Sequence, residues 1–249
     1  MESIIFPREV FADFVASLGG TSSFNTLLHL ARIPANRTAM IHTESLLQYI
    51  HKGVDSPLAF EILAELAKAD GARMFDEFAA AAVDSIRQKN TARDAAFRFL
   101  GAALADNPEL ATLPVLDELF VPDDSPAWFA FMIHATNDRA VPSLVDGCVK
   151  VALRTPQDAC QADAMRVLAN LACRIPTAMF TMNVVHAADR ALNDPNTEYL
   201  GLGILYNLTR HPAGCLLAFG DFSRLIKITK AMLRGESRAR KVMENFAAQ

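Results

Sequence analysis

The chain has 249 residues, 51% of them hydrophobic and 21% charged, with a formal net charge of −4. That length and apolar share exclude a disordered polar chain and allow a sizeable core. The 11 Gly and 12 Pro follow no strict period, which excludes a collagen-like or linker-type chain.

Aromatic residues are only 8%, with 3 Tyr and 1 Trp against a surplus of Ala and Leu, a balance that favours helix over an all-β sandwich. The N-terminus, Met1-Glu2-Ser3-Ile4-Ile5-Phe6-Pro7-Arg8-Glu9, carries an acid where a signal peptide carries cations. No apolar stretch reaches the roughly 20 residues that cross a bilayer. An intracellular protein, cytoplasmic or nuclear and without a membrane span, is therefore expected. Cys148, Cys160, Cys173 and Cys215 form no C-x-x-C pair and sit in apolar helical patterns. They read as four reduced, buried thiols, with a disulfide framework as the alternative.

In chain order, one phrase recurs: an apolar pair, two variable positions, then Leu and a small residue. It stands at Thr26-Leu27-Leu28-His29-Leu30-Ala31, at Ile62-Leu63-Ala64-Glu65-Leu66-Ala67 and, more loosely, at Leu100-Gly101-Ala102-Ala103-Leu104-Ala105. It returns as Val167-Leu168-Ala169-Asn170-Leu171-Ala172 and Ile204-Leu205-Tyr206-Asn207-Leu208-Thr209. The anchors Leu30, Leu66, Leu104, Leu171 and Leu208 are spaced by 36, 38, 67 and 37 residues. A degenerate copy around Ala135, in Phe131-Met132-Ile133-His134-Ala135-Thr136, falls inside the long interval.

A helix breaker follows each full copy: Pro34, Gly71, Pro108, Pro176 and Pro212. Proline cannot continue a helix interior but suits the first turn of the next helix. Each unit thus reads as a helix ending at the phrase, a bend and further helix, as in a helix predicted over 35–48. Further turns are expected at Asp55-Ser56-Pro57, at Pro122-Asp123-Asp124-Ser125-Pro126, at Thr155-Pro156-Gln157-Asp158 and at Asn193-Asp194-Pro195-Asn196, whose Asp, Ser, Thr and Asn suit N-caps. The pattern predicts an all-α fold, an α-solenoid of about six repeats forming one domain over 1–249. A multi-helix bundle with similar core stripes is the alternative.

The segment from Phe24 to Ile41 resembles the third helix, turn and next first helix of the armadillo repeat family, and HEAT-like repeats are similar. Leu168-Ala169-Asn170-Leu171-Ala172 and Leu205-Tyr206-Asn207-Leu208-Thr209 resemble the family's Leu-x-Asn-Leu-Ala signature. That resemblance implies a groove lined by third helices, where an Asn holds the backbone of an extended peptide. The matching positions are His29, Glu65, Ala103, Asn170 and Asn207, with Asn25, Glu61, Phe99, Arg166 and Gly203 one turn earlier. The expected groove set is Asn25, His29, Arg32, Glu61, Glu65, Arg166, Asn170, Asn207 and Arg210. Internal hydrogen bonding of Asn170 and Asn207 to neighbouring turns is the alternative role for those two. The segment from Cys160 to Ala172 also resembles the C-terminal armadillo-like domain of ARID-type subunits of SWI/SNF chromatin remodellers, which implies a chromatin-remodelling role.

The charge is uneven. Between Arg98 and Arg139 there is no Lys or Arg, but Asp106, Glu109, Asp117, Glu118, Asp123, Asp124 and Asp138. Near the C-terminus Arg224, Lys227, Arg234, Arg238 and Lys241 fall at spacings of 3, 7, 4 and 3, so most of them share one helical face. That basic stripe is either a solvated face or a docking stripe for an acidic partner, nucleic acid or anionic phosphate. The acidic block is either a solubilising surface or a seat for a basic peptide.

The sequence has no G-x-G-x-x-G, no G-x-S-x-G and no H-E-x-x-H, and Gly19-Gly20 lacks the continuation of a phosphate loop. His186 and Asp189 share a helical turn without a third metal ligand in register. Asp117 and Glu118 are consecutive and point apart. No cofactor, metal or catalytic residue is expected. The expected function is a non-catalytic scaffold or adaptor for a protein or peptide partner within a larger assembly.

Overall fold

The computed structural model describes residues 6–16, 22–154 and 160–248. Residues 1–5, the Gly19-Gly20 pair and the turn expected at Thr155-Pro156-Gln157-Asp158 lie outside them. Every regular element among the described residues is helical: fifteen α-helices and four short 3-10 helices, with no strand. The chain is all-α, as its composition and phrase repeat predict.

The helices are α1 (Arg8–Ala16), α2 (Ser22–Ala31), α3 (Pro34–Ile41), α4 (Glu44–Lys52), α5 (Pro57–Ala67), α6 (Gly71–Arg87), α7 (Arg93–Ala105) and α8 (Pro126–Ala135). They continue with α9 (Val145–Ala152), α10 (Gln161–Arg174), α11 (Met182–Ala191), α12 (Glu198–Thr209), α13 (Pro212–Phe219), α14 (Phe222–Leu233) and α15 (Ser237–Ala247). Helices α2, α5 and α7 end on the small residue of the phrase, α8 ends at the anchor position Ala135 of the degenerate copy, and α12 ends on Thr209. Each expected breaker starts the next element. Pro34 opens α3, Gly71 opens α6, Pro212 opens α13, and Pro108 and Pro176 open 3-10 turns. At Gly71 an added Cβ would lie 2.8 Å from the Ala103 carbonyl oxygen, so glycine lets α6 begin against α7. Asp70 caps that start by accepting from the Arg73 N–H at 3.1 Å. Ser125 likewise accepts from the Trp128 N–H at 3.1 Å, whereas Ser56 holds the cap position of α5 without a side-chain cap bond.

Two helical expectations are corrected. The helix predicted over 35–48 is two helices, α3 and α4. Between them Thr43 is extended (φ −96°, ψ 94°) and buried, and its hydroxyl donates to the Ala39 carbonyl at 2.8 Å. A short side-chain bond to the preceding turn substitutes for the continued helix. The single face predicted for Arg224–Lys241 is divided between α14 and α15 by Gly235 at φ +92°. There the Glu236 N–H reaches Ala231 O at 3.1 Å and the Gly235 N–H reaches Met232 O at 3.0 Å, a Schellman closure that requires the left-handed glycine.

The chain divides into two compact units. The first comprises 1–119 and 130–135, the second 120–129 and 136–249. In the first unit α2 packs on α5 and α5 on α7, with α6 behind α5 and α7. Phe60 and Phe99 meet across the row with ring centroids 6.0 Å apart. In the second unit α10 packs on α12 and α12 on α15, with α11 behind α12 and α14 behind α15. Within each unit this is the stacking of an α-solenoid: the phrase helices α2, α5 and α7 stack in the first unit and α10 and α12 in the second, where α15 continues the row.

The sequence interval is also a contact interval. Arg98 reaches Glu61 over 37 residues, Arg174 reaches Asp138 over 36, and Lys227 reaches Asp189 over 38. Arg190 reaches the Leu153 carbonyl over 37 residues and Arg234 reaches Glu198 over 36. In each case a cation on the later layer reaches back to an acid or carbonyl on the earlier one. Largely exposed ion pairs contribute about 0–1 kcal/mol each. A buried leucine contributes about 1.5–3 kcal/mol. The anchors Leu66, Leu104, Leu171 and Leu208 and Ala135 at the anchor position of the degenerate copy are buried and Leu30 is half-buried, so the apolar stripes hold the rows and the ion pairs set their register.

The cysteines are free. Cys148, Cys160 and Cys215 are buried, but Cys173 is exposed, correcting the expectation of four buried thiols. It follows the buried Leu171 and Ala172 on α10, where the next 100° of helical turn leaves the core. Among the described residues no helix is long and apolar enough to cross a membrane.

Candidate functional site

On α12, Tyr199, Gly203, the adjacent pair Tyr206-Asn207 and Arg210 follow one another at spacings of three and four along the chain, which gathers them on one side of the helix and the turn after it. The same spacing on α10 presents Asp163, Arg166 and Asn170, and on α15 Arg238, Lys241 and Asn245. Stacking of α10, α12 and α15 brings these sets together.

The contacts run from helix to helix. Arg166 is hydrogen-bonded by side chain to Tyr199 and pairs with Asp163. The Tyr199 bond is the main reason its guanidinium pKa lies above the ordinary value; partial burial opposes the shift, and Asp163 adds to it. Arg238 donates to the Tyr199 carbonyl at 3.0 Å. The Lys241 ammonium lies 5.8 Å from the centre of the Tyr206 ring, within cation–π reach. Asn245 donates to Tyr206 O at 3.4 Å and to Thr209 Oγ1 at 3.2 Å. Asn207 donates to Gly203 O at 3.1 Å, and Asn170 donates to Thr136 Oγ1 at 3.2 Å. Both asparagines therefore bond neighbouring turns, as the internal alternative foresees. Among the described residues the Oδ1 atoms of Asn207 and Asn245 accept no hydrogen bond. Of the side chains named on this face, Arg166, Arg210, Arg238 and Lys241 are cationic and Asp163 alone is anionic.

Gly203 lies at the middle of the face. An added Cβ there would meet only the Arg238 guanidinium, at 3.7 Å. Neither a positive φ nor a close neighbour calls for glycine, so its missing side chain leaves an open notch between Tyr199, Asn207 and Arg238.

The structure thus brings together Arg166, Asn170, Asn207, Arg210, Arg238 and Lys241, which the sequence places in two separate sets. The other expected positions go elsewhere. Asn25, His29 and Arg32 are exposed on α2 and the turn after it. Glu65 is held by Arg37 and Lys68, each at 2.7 Å, and Glu61 faces Arg98 at 3.5 Å. Arg224 is 1% exposed and so lies off the surface stripe. Lys227 pairs with Asp189 at 3.0 Å and Arg234 pairs with Glu198. In the acidic block Glu118 pairs with Arg87, Asp124 with Arg154 at 2.6 Å and Asp138 with Arg174 at 2.6 Å. Asp189, possible metal partner of His186, is committed to Lys227 and Arg224. The described residues contain no group of three or more His, Cys, Asp and Glu placed to hold a metal.

Tyr199, Tyr206 and Asn245 were not singled out from the sequence. Tyr206 sits inside the phrase itself, and Asn245 follows Asn207 by one repeat interval, so the period marked both. Models of known protein families and curated proteins give no match to this chain.

Proposed function

We propose that this chain is a non-catalytic protein-interaction scaffold of the armadillo/HEAT-like kind, and that the face formed by α10, α12 and α15 takes an extended, acidic segment of a partner protein. The observation that carries this reading is the open position at Gly203 beside Arg238, on a face that also carries Arg166 and Lys241. A peptide backbone lies in a notch without side-chain bulk, and the unfilled Oδ1 atoms of Asn207 and Asn245 accept its N–H groups. The cation surplus selects acidic side chains and speeds their approach. With Arg224 buried and Lys227 and Arg234 each paired to a carboxylate, the ligand role of the basic stripe passes to Arg238 and Lys241.

The test is fluorescence anisotropy with a labelled Glu/Asp-rich peptide and a Lys-rich control at low salt. The acidic peptide alone should bind. The double variant Arg166→Glu, Arg238→Glu should weaken binding at least tenfold with an unchanged circular dichroism spectrum, and added salt should weaken it too. Equal binding of both peptides, or no effect of charge reversal, rejects the assignment.

A further inference from the structure

The three tyrosines of the chain sit in different surroundings. Tyr49 is half-buried, its ring stacked on Phe24 with centroids 5.1 Å apart. Tyr206 is half-buried, with the Lys241 ammonium over its ring. Tyr199 alone is exposed, at 42%. It is the second residue of α12 and follows the turn 192–197, in which Asn193, Pro195 and Asn196 are exposed. Exposed turns and helix ends open locally at low cost, so this tyrosine can enter another enzyme's active site while the buried rows stay packed.

The surroundings of Tyr199 suit a phosphate on its ring. The side chain is hydrogen-bonded to the Arg166 guanidinium. Arg238 donates one N–H to the Tyr199 carbonyl at 3.0 Å, and among the described residues its other N–H groups have no partner. A neutral phenol oxygen meets only part of what a guanidinium offers. A phosphate monoester on the same oxygen presents three strong acceptors and about −1.5 to −2 charges at neutral pH. Guanidinium takes such a group through two parallel N–H bonds. The first turn of α12 adds the end of the helix dipole that favours negative charge.

We infer that Tyr199 is a phosphorylation site, that Arg166 captures the phosphate, and that the modification closes the α10–α12–α15 face to acidic partners. A protein kinase transfers the γ-phosphoryl group of a nucleoside triphosphate. The bond from Tyr199 Oη to phosphorus forms, the bond from phosphorus to the diphosphate oxygen breaks, the phenol proton passes to the kinase's base, and the nucleoside diphosphate leaves. The product adds about two negative charges to a face where Arg166, Arg210, Arg238 and Lys241 stand against Asp163. It also engages Arg166 within the chain. Closure of the face rests on the reading of that face as an acidic-peptide site; capture of the phosphate by Arg166 does not.

The full-length chain is treated with a broad-specificity protein tyrosine kinase and magnesium ATP, and the modified residues are located by peptide mass spectrometry. Tyr199 should take the phosphoryl group well ahead of Tyr49 and Tyr206, and Tyr199→Phe should take little. No modification at Tyr199, or earlier modification at Tyr49 or Tyr206, overturns the inference. In phosphorus NMR the phosphate should titrate at lower pH in the folded chain than in urea, and Arg166→Gln should remove most of that difference. The same titration with and without Arg166 overturns the capture. A labelled Glu/Asp-rich peptide should bind the phosphorylated chain at least tenfold more weakly than the unmodified one, and a phosphatase should restore its affinity. Undiminished binding overturns the closure. If the unmodified chain binds no acidic peptide, the docking reading fails and the closure with it, while the NMR titration still decides the capture.

Discussion

Arg224 carries a charge into a site only 1% exposed. Its guanidinium donates to Ala218 O at 2.7 Å and Leu217 O at 3.3 Å, carbonyls at the end of α13 that lack donors within the helix. Its Nε, without a hydrogen bond of its own, lies 3.7 Å from Asp189 Oδ1. The residue therefore closes one helix and ties it to the layer before. Residue spacing alone places it with Lys227 on a basic surface; only the neighbouring helix end reveals that it faces inward. His134 gives a pH prediction at the same scale. Burial lowers its pKa below 6.5, with Asp106 pulling the other way. The unfolded chain then binds more protons in the window just below pH 6.5, so His134 costs no stability above that window and costs progressively more as pH falls through it. Denaturant unfolding across this range should show wild-type stability falling with pH more steeply than that of His134→Gln. A slope no steeper in the wild type would contradict the assignment.

Helix starts were legible because Pro and Gly act locally: Pro34, Gly71 and Pro212 each open a helix in the structure. The break at Thr43 was not, because nothing in its immediate sequence forbids helix and the burial of Thr43 depends on packing. Gly235 was readable as a stop from the glycine rule alone, but the regular spacing of cations across it obscured the signal. Three glycines separate the causes at this scale. Gly203→Ala should stabilise by up to about 1 kcal/mol, since helix propensity improves and the Cβ meets only Arg238 at 3.7 Å. Gly214→Ala should destabilise by about 1–3 kcal/mol or more, because its Cβ would collide with the Leu208 carbonyl and the Phe180 ring. Gly235→Ala should cost about 1–2 kcal/mol through backbone strain alone, with nothing within 4 Å to clash. Urea unfolding orders the three, and any other order of sign refutes the account.

Across the whole molecule the net charge of −4 conceals a surface sorted by layer contacts. Three members of the acidic block neutralise arginines of other elements, while the cations of the α10–α12–α15 face stay in surplus. The thiols report on the same sorting. Burial pushes Cys148 up to about 12 and raises Cys215, and Cys160 is buried as well, whereas Cys173 faces solvent. Native protein treated with a thiol-reactive disulfide reagent at neutral pH should be labelled first at Cys173, and at Cys148 only on unfolding. Peptide mapping of the adduct checks this. Early labelling of Cys148 would place that thiol outside the core.

The sequence by itself determined the helical class, the interval of the repeat and the points where helices begin, because apolar periodicity and proline geometry act over a few residues. Tertiary structure alone decided which polar side chains meet. Arg166 and Arg238 come to the two ends of Tyr199 only because α10, α12 and α15 stack, and the same stacking withdraws Arg224 from the surface. Spacing along one helix orders the side chains of that helix; the neighbour packed against it decides whether each one faces the core, a partner or water.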